Sequence, residues 1–169
     1  MKSFKNKKGF TLVEILIVVV IIGILAALIL PRLMSQPEKA IVAEGVQYLG
    51  VLRRAQQTFA DSQSGGAYAT WAGAVAPGGT GGAIPTQWRT LGLQGLPSSA
   101  RFSYLCPVGT RTFTGQASAE NYCEATRVDP AGGIYNDAKV QLGLNSGTFD
   151  CDGTKYLRSS NTPAQCIPV

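Results

Sequence analysis

One carboxylate, Glu14, stands inside FTLVEILIVVVIIGILAALIL, a run of 21 residues from Phe10 to Leu30 that holds no basic residue. A carboxylate in hydrocarbon costs roughly 2.5–3.5 kcal/mol on insertion scales, so Glu14 demands a partner. The alternative is a helix-end carboxylate that snorkels to the headgroups. The other reactive groups are four cysteines, Cys106, Cys123, Cys151 and Cys166, all behind the apolar run. Histidine is absent. That removes the commonest general base, the Ser-His and Cys-His nucleophile pairs, and imidazole metal ligands. Scattered Asp, Glu, Ser and Tyr form no catalytic constellation, and the expectation is a protein that is not an enzyme.

An even number of cysteines fits disulfides in an oxidising compartment. Three connectivities are open. The sequential one, Cys106–Cys123 with Cys151–Cys166, closes short loops and is the favoured expectation, and a closed loop of ~15 residues stabilises by ~3 kcal/mol in the chain-entropy model. Zinc is a poor competitor, because there is no C-x-x-C pair and the spacings of 17, 28 and 15 fit no usual structural site. Asp150-Cys151-Asp152-Gly153 and Asn136-Asp137 faintly resemble calcium-loop sequence, but the downstream bidentate glutamate is missing. A turn at Asp152-Gly153 is the better reading. No metal is expected, with Asp150 and Asp152 the only weak candidates. The glycine-rich stretches lack the GK[ST] and flanking elements of a phosphate loop, so no cofactor is expected either.

The elements that must hold these groups follow from composition. An α-helix needs ~20 apolar residues to cross ~30 Å of hydrocarbon, which Phe10–Leu30 supplies. An ordinary signal peptide would have a shorter apolar core. Lys2, Lys5, Lys7 and Lys8 precede the run, so the positive-inside rule puts the N-terminus in the cytoplasm and the head outside it. Those four account for most of the net charge of +5, and from Phe10 onward eleven basic residues face ten acidic ones. So balanced a chain gives no electrostatic ground for nucleic acid as a partner. Gly23, Ala26 and Ala27 let helix backbones approach in lipid, where association depends on packing.

Beyond the run, Ile41, Gly45, Tyr48, Leu52, Ala55 and Phe59 fall at four- and three-residue steps, which predicts an amphipathic helix to about Asp61. Pro31 and Pro37 predict kinks or a local break in one curved helix of ~50 residues. Residues 62–85, rich in glycine and uncharged, read as a loop, in part mobile. Thr86–Leu93 suggests a helical turn with Trp88 and Leu91 inward. After Pro97, short alternating runs with β-branched and aromatic residues predict a small antiparallel sheet of three to five strands. The fold class is α+β: a long N-terminal helix, half membrane and half amphipathic, packed on a small sheet-based head.

The junction Lys7-Lys8-Gly9-Phe10-Thr11-Leu12-Val13-Glu14 closely resembles the processing site of type IV pilins and their pseudopilin relatives, a resemblance that covers roughly residues 1–60. It implies a pilin-like fold, cleavage after Gly9 by a prepilin peptidase, and N-methylation of Phe10. Cutting before Phe10 creates an α-amine, the one cation able to reach Glu14 at membrane depth, in the same chain or in a neighbour. The resemblance implies that this pair sets the register of each incoming subunit, contributing specificity more than net stability. Pro31, in LPRL, matches the proline that the family carries near the end of its membrane segment. Family members often hold the C-terminal region by a disulfide, which supports Cys151–Cys166.

The resulting expectation is a leader at 1–9, a membrane and polymerisation helix at 10–30, its amphipathic continuation at 31–61, and a head at 62–169. The chain would be a structural subunit of a pilus-like fibre, a helical homo-oligomer. It would lie in the inner membrane before assembly and at the cell surface afterwards, with the peptidase and a pilus or secretion assembly platform as partners. LPRLMSQPEKA is also similar to major pseudopilins of type II secretion, the first rival. A membrane-anchored minor pilin or DNA-uptake module is the second.

Overall fold

The computed structural model describes residues 9–33, 36–79, 84–129, 132–158 and 166–168. The chain divides into two units, Met1–Pro37 and Glu38–Val169.

The first unit contains α1, Leu12–Leu33. At 1.5 Å per residue its 22 residues span about 33 Å. From Leu12 to Ile29 no side chain is buried. Its length and composition fit a bilayer crossing.

The helix α2, Gln36–Ser62, continues into the second unit. The expected single long helix is therefore recorded as two, with residues 34 and 35 outside those described. Helical backbone runs through Pro31 to Leu33. Pro37 is not interior to a helix but stands in the first turn of α2, where a missing N–H leaves no bond unmade.

The second unit is built on antiparallel strands β1 (Phe102–Leu105), β2 (Thr110–Arg111), β3 (Glu120–Arg127), β4 (Lys139–Gly143) and β5 (Phe149–Cys151). Their order is β1-β3-β4-β5, with β2 pairing the start of β3. A separate hairpin joins β6 (Tyr156–Arg158) to β7 (Cys166–Pro168). The short α3, Thr86–Thr90, buries Trp88.

Alternation along the strands gives one face to the core. Phe102, Tyr104, Cys123, Ala125, Val140 and Leu142 share it with Leu49 and Leu52 of α2. Gly45 lets α2 approach: a Cβ there would lie 2.9 Å from Phe102 Cε2, inside contact distance of a rigid ring. The buried face of α2 keeps Gly45 and Leu52 of the expected stripe and otherwise shifts by about one residue. Val42, Gly45, Leu49, Leu52 and Gln56 are buried, whereas Ile41, Tyr48, Ala55 and Phe59 are half-buried.

Gln56 explains part of that displacement. Its Nε2 donates to Ala69 O at 2.6 Å, and its Oε1 accepts from Ala69 N at 2.9 Å. The amide thus serves a peptide group as a neighbouring strand would, meeting the need that buried polar atoms be paired. It also pins the glycine-rich segment, whose Trp71 and Val75 are buried and whose Val75 pairs with Tyr104 of β1. That part of the expected loop is therefore structured, because aromatic and β-branched residues among the glycines anchor it.

Candidate assembly site

The groups singled out by sequence fall at the start of α1, at its end and in the second unit. Lys2, Lys5, Lys7 and Lys8 lie outside the described residues. Gly9 and the 85 % exposed Phe10 precede the helix. Pro31 lies in its last turn.

Thr11 and Glu14 form a reciprocal cap at the start of α1. Glu14 Oε2 accepts from Thr11 N and from Thr11 Oγ1, each at 2.7 Å, while Thr11 Oγ1 accepts from Glu14 N at 3.4 Å. The first turn of a helix leaves backbone N–H groups unpaired, and T-x-x-E satisfies two of them. Glu14 therefore has hydrogen-bond donors within its own chain. Its demand for a partner is met in part by Thr11, a role that the T-x-x-E spacing carries and the sequence reading above omits.

In the second unit both disulfides are sequential, Cys106–Cys123 and Cys151–Cys166. Cys106 follows β1 opposite Cys123 on β3, so the first bridge ties neighbouring strands. The connection it closes folds back over the outer face of the sheet. Phe113 is buried there, edge-on to Tyr122, and Thr114 N donates to Asp150 Oδ2 at 3.2 Å. Cys151–Cys166 fastens β7 to β5.

The two weak metal candidates are engaged in other ways. Asp150 is flanked by Arg111 at 3.6 Å and Arg158 at 3.4 Å. Asp152 Oδ1 accepts the backbone N–H groups of Thr154, Lys155 and Tyr156 at 3.0, 2.9 and 2.9 Å. Burial pushes the Asp152 carboxyl up, but those N–H donors outweigh it and hold it below the usual carboxylate range. Among the described residues no three His, Cys, Asp or Glu side chains are grouped to hold a metal.

Sequence reasoning missed a buried charged cluster at the start of the second unit. Glu38 Oε1 accepts from Arg127 Nε at 3.1 Å and from the Tyr156 hydroxyl at 2.5 Å. Arg127 Nη1 also donates to Val128 O at 2.5 Å, so the guanidinium is supplied with acceptors. Burial, and then the hydrogen bond to Glu38, push the Tyr156 phenol up, so it stays a donor across the physiological range. The cluster ties the first turn of α2 to the last residue of β3 and to the hairpin.

Residues 4–30 match the family described as the prokaryotic N-terminal methylation motif. The chain is 58 % identical over 38 residues to type II secretion system core protein G of Pseudomonas aeruginosa, a match covering 22 % of this chain and 27 % of that protein. Against core protein G of Escherichia coli it is 44 % identical over 55 residues, 32 % of this chain and 38 % of the relative. It thus spans only about a quarter to two fifths of those relatives. Against the fimbrial protein EcpC of Eikenella corrodens it is 31 % identical over 125 residues, 59 % of this chain and 82 % of that protein. No solved structure matches the chain. An exposed apolar helix that opens on a capped glutamate, a methylation motif across it, and likeness to a fimbrial protein over most of that protein's length together mean that this chain belongs to the type IV pilin and pseudopilin family.

Proposed function

We propose that the chain is a structural subunit of a type IV pilus-like fibre and carries out no catalysis. Residues 1–9 are a leader removed after Gly9 by a prepilin peptidase, and Phe10 is the methylated N-terminus. Residues 10–30 hold the subunit in the inner membrane and later pack in the fibre, 31–61 continue the helix, and 62–169 form the head outside the cytoplasm. The observation that carries this reading is Glu14, the one charge in the exposed apolar span Leu12–Ile29, four residues behind the Phe10 amine that cleavage would free. Removing the four lysines and creating that amine changes the N-terminus from a cytoplasmic anchor to a counter-ion for a buried carboxylate.

Between fibres of the cell surface and of type II secretion, the coverage of the relatives favours the former. Likeness to the secretion proteins is confined to 38 and 55 residues, whereas likeness to the fimbrial protein runs for 125.

Intact mass of protein sheared from cells, beside a Gly9→Val variant, tests the reading. The expected species begins at methylated Phe10 and is four hydrogens lighter than its reduced form, as two disulfides require. Full-length protein confined to membranes overturns it.

A further inference from the structure

The second unit carries an apolar groove of about 300 Å³ between α2 and the strands near the chain end, lined by Val42, Ala43, Val46, Phe149 and Ile167. Lys39, exposed and in no ion pair among the described residues, is the charged residue in its wall. On the connection from β3 to β4 of the same unit, Ile134 stands 76 % exposed. Its described residues are tied by hydrogen bonds: Asn136 N donates to Gly133 O, Asp137 N to Arg127 O, and Asp129 N to Asn136 Oδ1, each at 2.9 Å. Asp137, three residues beyond Ile134, is exposed and takes a left-handed backbone with φ of 64°.

An aliphatic side chain held in water gains little for its own fold, and an apolar groove is where such a side chain would lose its exposure. Charge decides which exposed side chain suits the groove. Val108 is 82 % exposed, but no acidic residue stands within three positions of it to meet Lys39. The Ile134 turn brings Asp137 instead, the complementary charge.

We propose that the groove receives the Ile134 turn of a second copy of this chain, with Asp137 of the partner subunit beside Lys39. Because turn and groove are different parts of one surface, the contact is heterologous and repeats into an open array instead of closing as a two-fold dimer. The inference rests on the reading that the chain polymerises and names a head-to-head contact within that fibre.

The test uses the full chain in fibre-forming cells, carrying Lys39→Asp, Asp137→Lys or both, with sheared fibre quantified against total oxidised protein. Each single change is expected to lower the fibre fraction about fivefold or more, and the double change to restore it to within about twofold. A photoreactive amino acid in place of Ile134 should give covalent dimers of this chain, joined at the groove residues. Unchanged single variants, a double variant no better than the worse single one, or adducts to a different protein would overturn the contact. If the unaltered chain is itself absent from fibres, the polymerisation reading fails. If fibres form and the charge exchange is without effect, only the docking fails.

Discussion

Arg127 places its Nε 3.1 Å from Glu38 Oε1 although the two residues stand 89 apart in sequence. Both side chains are almost wholly shielded, with 4 % and 9 % exposure. Water screens such a pair little, and removing one member leaves the other charge buried alone. Glu38→Ala should therefore cost about 3–5 kcal/mol, read as a lower thermal or urea midpoint of the detergent-solubilised chain. A change below about 0.5 kcal/mol would mean that Arg127 finds water or another acceptor.

Thr11 and Glu14 separate capping from charge. Thr11→Ala removes the cap and leaves the carboxylate, costing about 1 kcal/mol at the helix start. Glu14→Gln keeps an acceptor for Thr11 and removes the charge. If charge pairing positions the incoming subunit, Glu14→Gln should lower fibre incorporation by about tenfold or more, with Thr11→Ala much milder and cleavage at Gly9 normal in both. Equal losses would point to the cap as the part that matters.

Asp152 predicts the sign of one acid effect. Its folded pKa is held down by backbone donors, so its contribution is present above the unfolded value of about 3.9 and is lost as pH falls through the folded value. The stability gap between the wild type and Asp152→Ala should stay level from neutral pH down to about 5 and narrow below about 4. Denaturant midpoints taken at each pH give the gap, and a gap that widens in acid would contradict the assignment.

The Cys151–Cys166 bridge spans 15 positions. Replacing both cysteines with serine should cost about 3 kcal/mol through the freer unfolded chain. Because Tyr156 lies between them and reaches Glu38, the double variant should also speed amide exchange in the first turns of α2, measurable by hydrogen–deuterium mass spectrometry. Unchanged exchange there would show that the hairpin docks without its clasp.

What the sequence could convey depended on distance along the chain. The apolar run, the Gly9-Phe10 junction and Glu14 are local patterns, and each is legible in a window of a few residues. The helical period of α2 was legible too, with Gly45 and Leu52 buried as expected, but part of its buried face was read one residue off, because Gln56 looks like a surface residue until Ala69 is beside it. Glu38, Arg127 and Tyr156 carry no local sign of meeting, being 89 and 118 positions apart in the two pairings with Glu38. The three residues of β7 form no detectable strand pattern without β6 opposite. Thr11 is the instructive omission, since its spacing to Glu14 was in plain view and attention to the charge obscured the hydroxyl.

If the proposed fibre is placed under tension, the two disulfides bear on what pulling can do. Once Cys106 is joined to Cys123 and Cys151 to Cys166, the spans of 17 and 15 positions between them cannot be drawn out. At up to about 3.4 Å per residue, roughly 100 Å of contour is withheld from a chain under tension. A subunit that yields can lengthen only through its uncrosslinked segments, so the bridges act as stops that cap its extension while leaving the strength of its hold to the packing of α2.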